Sequence, residues 1–124
     1  MAITLDFDSV EGVVVGVAHG PLALEDIKEC AATMWRLHEG PANRILLDLR
    51  DAKFNLNASE VRGSAEFARE HSPYEILRIA FVVTKDLEFG LLKMWEALRD
   101  TEGVKISVFR DKERALEWLA GDAA

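Results

Sequence analysis

The chain has 124 residues, of which 49% are hydrophobic, and this is enough for one ordinary domain with a single core. Its 22 acidic residues outnumber its 15 basic ones, and the formal net charge of −7 disfavours nucleic acid and anionic lipid surfaces as partners. A single cysteine excludes an intrachain disulfide, and no apolar run approaches the roughly 20 residues of a membrane span. We therefore expect one cytoplasmic domain over residues 1–124, without membrane insertion.

The N-terminal third predicts a β-hairpin followed by a helix. Apolar and polar residues alternate over 3–8, and β-branched residues dominate 12–18, so the two runs are expected to pair as antiparallel strands. The histidine, glycine and proline at 19–21 are expected to end the second strand. From about 22 to 38, apolar residues recur every three or four positions, which is typical of an amphipathic helix.

Three later segments have the composition of strands. The apolar runs at 44–50 and 78–84 are nearly continuous, which favours central positions in a sheet covered on both faces. The polar segment 51–56 after the first of them is predicted to be irregular. A shorter apolar run at 104–109 predicts the last strand.

Helices are predicted between and after these strands. Asn57 followed by Glu60 is typical of a capping box and begins a helix that is expected to run to about His71. The next helix, over 87–100, is predicted to bury Leu87, Leu91, Leu98 and either Met94 or Trp95. The last helix, capped by Asp111, is predicted to turn Ala115, Trp118 and Leu119 toward the sheet.

The resulting order, β-β-α-β-α-β-α-β-α, predicts an α/β fold with a mixed five-stranded sheet and four helices. If successive strands are neighbours, right-handed crossovers place the helices on one face of the sheet. The other face would then expose small and apolar residues, so either a helix or a second subunit must cover it. A homodimer is one predicted assembly for this reason. The residues assigned to that face are Val14, Gly16, Ala18, Leu46, Ala80 and Val82.

Three segments resemble the SpoIIAA-like group of STAS-related bacterial proteins: 45–54 (ILLDLRDAKF), 89–98 (FGLLKMWEAL) and 108–119 (VFRDKERALEWL). The resemblance covers nearly the whole chain. It implies a (βα)n superhelix shared by anti-sigma-factor antagonists and, more distantly, similar to the CRAL-TRIO lipid-binding fold. It implies a regulatory or binding module rather than a particular reaction.

One stretch departs from the pattern of anti-sigma-factor antagonists. In those proteins a phosphorylatable serine lies in an Asp-Ser-Ser-Gly-like stretch that opens the helix after the third strand. Here the stretch 56–59 reads LNAS, without the acid or the glycine, and Ser59 is displaced from the expected site. Phosphorylation near a helix N-terminus is electrostatically acceptable. We nevertheless expect Ser59 to be an ordinary polar residue of the first helical turn.

The sequence contains no motif for a known catalytic or metal-binding chemistry. It has no histidine pair with metal-ligand spacing, no glycine-rich phosphate loop, and neither a GxSxG nor an HExxH motif. No catalytic residue, metal or cofactor is predicted. Cys30 lies mid-helix near the apolar stripe and is expected to be a buried, inert thiol. Asp48, within a central strand, requires a partner and is predicted to be a structural anchor rather than a catalytic acid.

The tryptophans allow two interpretations, whereas two of the histidines have a structural one. Trp35, Trp95 and Trp118 are predicted to pack in the core or at its edge, although one that overhangs its apolar stripe would line an apolar groove. His38 and His71 lie near predicted helix ends, where a cation is favoured for structural reasons.

The predicted binding surface is the carboxyl edge of the parallel strands, where helix N-termini favour anions. Two functions follow. The first is a non-catalytic module that binds a regulatory protein partner or an apolar, lipid-like small molecule, and a deep apolar cavity would favour the small molecule. The second is a small enzyme using His19 with Asp48 or Asp51 as acid and base in a concave pocket. The predicted ligand-binding residues are His19, Arg50, Lys53, Asn57, Lys85 and Arg110.

Overall fold

The computed structural model describes residues 3–8, 12–36, 44–71, 77–99 and 103–121. Within these ranges the order of strands and helices is the predicted one. The elements are β1 (Ile3–Asp8), β2 (Val13–Leu22), α1 (Leu24–Arg36), β3 (Arg44–Phe54), α2 (Ala58–His71), β4 (Leu77–Val82), α3 (Asp86–Arg99), β5 (Val104–Phe109) and α4 (Lys112–Ala120). No helix among the described residues is long and apolar enough to cross a membrane.

The strands form one sheet in the order β1-β2-β3-β4-β5. β1 and β2 are antiparallel, with Ile3 opposite Ala18 and Asp8 opposite Val13, and the remaining neighbours are parallel. The predicted mixed sheet with an N-terminal hairpin is confirmed. Because each parallel strand lies beside its predecessor, crossovers of one hand place α1, α2 and α3 on a common face, where the larger core cluster lies.

The fourth helix lies on the opposite face, so the expectation that all helices share one face is wrong. Its buried Ala115 and Leu119 pack against Leu46, Ala80 and Val82 in a second, smaller core cluster. α4 follows the last strand and makes no crossover, so the handedness rule does not constrain it. This helix therefore covers the sheet face that is expected to need either a helix or a second subunit.

The alternation of β2 also differs from the prediction. Val14 and Ala18 belong to the larger cluster beneath α1–α3, whereas Val13 belongs to the cluster beneath α4. The assignment of Val14 and Ala18 to the opposite face was therefore wrong. Because successive side chains of a strand point to opposite faces, each of these positions was placed on the wrong side of the sheet.

β2 and β3 both run further than predicted. Gly20 takes a φ of 71°, which a glycine adopts without strain, and its pairing with Ala52 carries the ladder through the predicted break. The pairing of β2 with β3 shifts register between Val17 and His19, just before this glycine. The segment after Arg50 is not irregular, because Ala52 is buried between exposed neighbours in the period-two pattern of a strand.

The helix caps agree with the sequence. The Asn57 backbone N–H donates to Glu60 Oε1 at 3.1 Å, and the Glu60 N–H donates to Asn57 Oδ1 at 2.8 Å. This reciprocal pair is the predicted capping box of α2. Asp111 caps α4 by accepting from the Glu113 N–H at 2.8 Å.

The buried stripe of α3 is offset by one position from the prediction. Leu87 is 67% exposed, so its predicted burial is wrong. The residues that α3 buries are Glu88, Leu92 and Arg99, and Trp95 packs against the larger core cluster between the last two. Their spacing of four, three and four residues defines one helix face, and both ends of that face carry a charge.

Candidate functional site

An apolar cavity of about 90 Å³ lies between the sheet and helices α1, α2 and α3. β3 and β4 contribute its floor, because their side chains on this face are aliphatic or aromatic. The helices contribute the walls through the apolar positions of their inward stripes. The principal lining residues are Ile45, Leu47, Ile79 and Phe81 from the strands, Ile27 and Ala31 from α1, Val61, Phe67 and Ala68 from α2, and Leu91, Leu92 and Trp95 from α3.

Trp95 forms an ordered part of this lining. Its indole Nε1 donates to Ser64 Oγ at 3.1 Å, and the Ser64 hydroxyl donates to the Val61 carbonyl at 2.8 Å. Phe81 meets the Trp95 ring edge to face, with centroids 5.4 Å apart. The two polar side chains therefore have hydrogen-bond partners within the protein.

Arg99, the last residue of α3, also lines the cavity, and one of its side-chain nitrogen atoms is buried without a hydrogen-bond partner. The residue is only 3% exposed, and the unpartnered atom is Nε. Burial lowers the pKa of Arg99, and the positive charge of Arg69 lowers it further. Among the residues that the structure describes, no carboxylate forms an ion pair with it. An arginine stays protonated in proteins, so a cation without a carboxylate partner among the described residues adjoins an apolar space.

The surroundings of Arg99 add to this positive charge. The Arg99 guanidinium carbon lies 5.6 Å from the centroid of the Trp95 ring. Lys28 both lines the cavity and is exposed, so it lies where the cavity meets solvent. Its Nζ is 5.7 Å from the centroid of the Phe67 ring. Although the chain carries a net charge of −7, the two charged residues that line this cavity, Lys28 and Arg99, are both cationic.

Cys30 is a further lining residue. It is buried, and that burial raises the pKa of its thiol to about 12. At neutral pH the side chain is therefore a protonated, weakly polar group and not a nucleophile. The expected burial of this thiol is confirmed, and its raised pKa supports the expectation that it is inert.

Asp48 has the partner that its burial requires. Arg50 donates to it through Nε at 2.9 Å and through Nη2 at 2.7 Å, one bond to each carboxylate oxygen. These hydrogen bonds lower the pKa of Asp48 against the raising effect of burial. The arrangement suits a structural anchor, and it also engages Arg50, one of the predicted ligand-binding residues.

The other predicted binding residues lie away from the cavity, since none of the six lines it. Asn57 is engaged in its capping box. Arg110 donates to the Thr84 carbonyl and to Asp86, each at 2.8 Å. Lys53 and Lys85 are exposed, as is His19. Ser59 is exposed in the first turn of α2.

The proposed acid–base pair comes together only at the surface. His19 Nδ1 lies 3.8 Å from Asp51 Oδ2, but their side chains are 67% and 75% exposed. Neither residue lines the cavity, so the concave setting that this hypothesis requires is not met there. Across the described ranges, no group of three or more His, Cys, Asp or Glu residues could hold a metal ion.

The remaining aromatic candidates divide between packing and the cavity. Trp118 packs against Phe109, with ring centroids 5.8 Å apart, and beneath the guanidinium of Arg78. His71 stacks on Phe67 at the end of α2. The Trp35 side chain and His38 lie outside the described residues.

Sequence reasoning did not single out Lys28, Ser64 or Arg99 as site residues. Arg99 gave one usable signal, because it follows Leu92 and Trp95 at helical spacing and so occupies a position where a core helix carries an apolar residue. A charged residue in such a position requires a reason. Ser64 gave a weaker signal, since it lies one turn after Val61 on the inward face of α2.

Comparisons with known proteins identify the fold. No family model and no curated protein sequence matches the chain. Among solved structures, it is similar to an uncharacterised protein of the DUF3478 family with a SpoIIAA-like fold from Shewanella loihica PV-4, with a TM-score of 0.66, 20% identity, and 95% and 93% of the two chains covered. It is also similar to the anti-sigma factor antagonist SpoIIAA in its unphosphorylated form, with a TM-score of 0.63, 15% identity, and 98% and 100% covered.

The chain therefore has a SpoIIAA-like fold, as its sequence predicted. At these identities the likeness shows the fold and not the activity. The predicted distant similarity to CRAL-TRIO domains has no support in these matches.

Proposed function

We propose that this protein is a non-catalytic binding module that holds an apolar small molecule in the cavity between the sheet and α1–α3. The observation that carries the proposal is the cavity itself, which is lined almost entirely by aliphatic and aromatic side chains. A well-packed core leaves few voids larger than a water molecule, and an apolar void forfeits contacts that a ligand restores. One protein of similar fold is an anti-sigma factor antagonist, which supports a regulatory role for such binding.

The size of the cavity limits the ligand. At about 90 Å³ it is smaller than a void of about 150 Å³ that admits benzene, so it suits a short alkyl chain rather than a long one. Burial of a hexyl chain contributes roughly 5 kcal/mol at about 0.8 kcal/mol per methylene. The corresponding Kd is about 0.2 mM, and the entropy lost on association raises it toward about 1 mM for a simple alcohol.

The test is calorimetric titration of the protein with 1-butanol, 1-hexanol and 1-octanol. The chain offers a matched pair of variants on α1, because Ala31 lines the cavity while its neighbour Ala32 is exposed. We expect saturable binding of at least one alcohol by the wild type. The added ring of Ala31→Phe fills the cavity and should weaken that binding by about tenfold or more, whereas Ala32→Phe should leave it unchanged.

Absence of saturable binding for all three alcohols would reject the proposal, as would equal effects of the two phenylalanine variants. Far-UV circular dichroism of both variants shows whether each has folded. If Ala31→Phe unfolds the protein, Ala68→Leu is the second variant, since Ala68 lines the cavity from α2 and leucine adds less volume.

The same proposal includes a cytoplasmic setting and leaves room for a homodimer or a regulatory protein partner. The single, buried cysteine agrees with a reducing compartment. Because α4 already covers much of the second sheet face, a dimer is not needed to cover it. Native mass spectrometry of gently purified protein reports subunit number and any retained small molecule in one experiment.

A further inference from the structure

We propose that the ligand of this cavity carries a carboxylate, and that Arg99 binds it while a short alkyl chain occupies the apolar interior. This inference deepens the proposed function and rests on it. Arg99 is a positioning and recognition residue here, since no reaction is involved. The observations that carry it are the burial of its side chain, the unpartnered Nε, and its place in the cavity wall.

A buried charge is stable in a protein only when it is paired or hydrogen-bonded. Arg99 is 3% exposed, and the only neighbouring charge that perturbs its pKa among the described residues is the like charge of Arg69. The Ser64 hydroxyl accepts from Trp95 and donates to the Val61 carbonyl, and none of its hydrogen bonds among the described residues is to Arg99. Among the described residues the protein therefore provides no anion for Arg99, and we infer that a ligand supplies one.

The chemistry of the site favours a carboxylate head in particular. A guanidinium presents its N–H groups in a planar fork that matches the two oxygens of a carboxylate. Trp95 lies against the guanidinium, at 5.6 Å from its ring centroid, and restricts its orientation. Lys28 at the opening adds a second positive charge that attracts an anion to the cavity.

The volume of the cavity limits the length of the alkyl chain. With about 90 Å³ of interior, the protein encloses only a few carbons beyond the head group. A molecule such as butanoate or hexanoate satisfies both requirements. The predicted ligand class is therefore short-chain alkyl carboxylates.

The experiment compares hexanoate with 1-hexanol, which share a chain and differ in the head group. Both are titrated into the wild type, Arg99→Met, Arg99→Lys and Arg62→Met. Arg62 is exposed on α2 and does not line the cavity, so its variant is the matched control for loss of one arginine. We expect the wild type and Arg62→Met to bind hexanoate about tenfold or more tightly than 1-hexanol, because charge-assisted hydrogen bonds form only with the anion.

In Arg99→Met the preference should disappear while binding of 1-hexanol is retained, and Arg99→Lys should keep part of the preference because it keeps the charge. Equal affinity of the wild type for both compounds would overturn the assignment of a carboxylate while leaving the apolar site intact. A preference that survives in Arg99→Met would overturn the role of Arg99. If the wild type binds neither compound, the proposed function fails and this inference fails with it.

Discussion

Replacement of Arg99 by methionine should stabilise the unliganded protein by about 1–2 kcal/mol. An uncompensated buried charge costs about 3–5 kcal/mol, and the lower part of that range, about 3–4 kcal/mol, applies to a guanidinium with one unpaired nitrogen. Two favourable terms are lost with the charge. Stacking on Trp95 contributes about 1 kcal/mol and the position at the C-terminus of α3 up to about 1 kcal/mol. Methionine retains an unbranched apolar chain beside the indole, so no new void offsets the gain.

The assay is urea unfolding followed by circular dichroism and tryptophan fluorescence. The midpoint should rise in Arg99→Met with an unchanged m value. Arg62→Met removes an exposed arginine and should change the free energy of unfolding by less than about 0.5 kcal/mol. A loss of more than about 1 kcal/mol in Arg99→Met would mean that Arg99 stabilises the fold through a partner, which would refute the argument from an uncompensated charge.

Three further predictions concern stability and reactivity. Because Arg50 lowers the pKa of Asp48, the pair stabilises the fold fully above about pH 4 and loses that effect as the pH falls through the lowered pKa. Arg50→Met should therefore lower the urea midpoint at neutral pH, and by less at about pH 3. An equal difference at both pH values would contradict this. Gly20→Ala forces alanine to a φ of 71° and should lower the free energy of unfolding by about 1 kcal/mol. Gly63 lies on α2 with open space beside its Cα, so Gly63→Ala should raise the free energy of unfolding by up to about 1 kcal/mol, as measured by thermal unfolding. With a thiol pKa of about 12, Cys30 should react slowly with a disulfide reagent in the native protein and rapidly in denaturant, and fast native labelling would count against its burial.

The order of the elements was predictable because each has a clear period or a clear cap. The hairpin, the capping box at Asn57 and the cap at Asp111 all depend on residues that are close together in the sequence. The extension of β2 through Gly20 was not predictable, because a glycine before a proline is equally typical of a turn. The placement of α4 was not predictable either, since no crossover rule applies after the last strand.

The cavity was predictable only as one of two possibilities. Apolar periodicity indicates which residues face inward, but the space left between them depends on how closely α2 and α3 pack on the sheet, which is a tertiary property. The buried stripe of α3 begins with Glu88 and ends with Arg99. Because Glu88 is charged, the apolar pattern assigned the start of the stripe to its neighbour Leu87. A pattern based on hydrophobicity does not identify the inward face, because the residues at both ends of that face are charged.

The two buried charges of α3 differ in a way that separates a structural residue from a binding one. They are eleven positions apart, or about 16 Å along the helix, so neither neutralises the other. Glu88 accepts through Oε1 from the Phe54 N–H at 3.4 Å, which ties the end of β3 to the first turn of α3, while its Oε2, like Arg99 Nε, has no hydrogen-bond partner. It does not line the cavity, whereas Arg99 does and has no anchoring contact of this kind among the described residues. Each charge lies at the helix end that the dipole favours, so the dipole does not distinguish them. The distinguishing feature is that Arg99 faces a space large enough for a ligand, and for this reason we assign recognition to Arg99 and an anchoring role to Glu88.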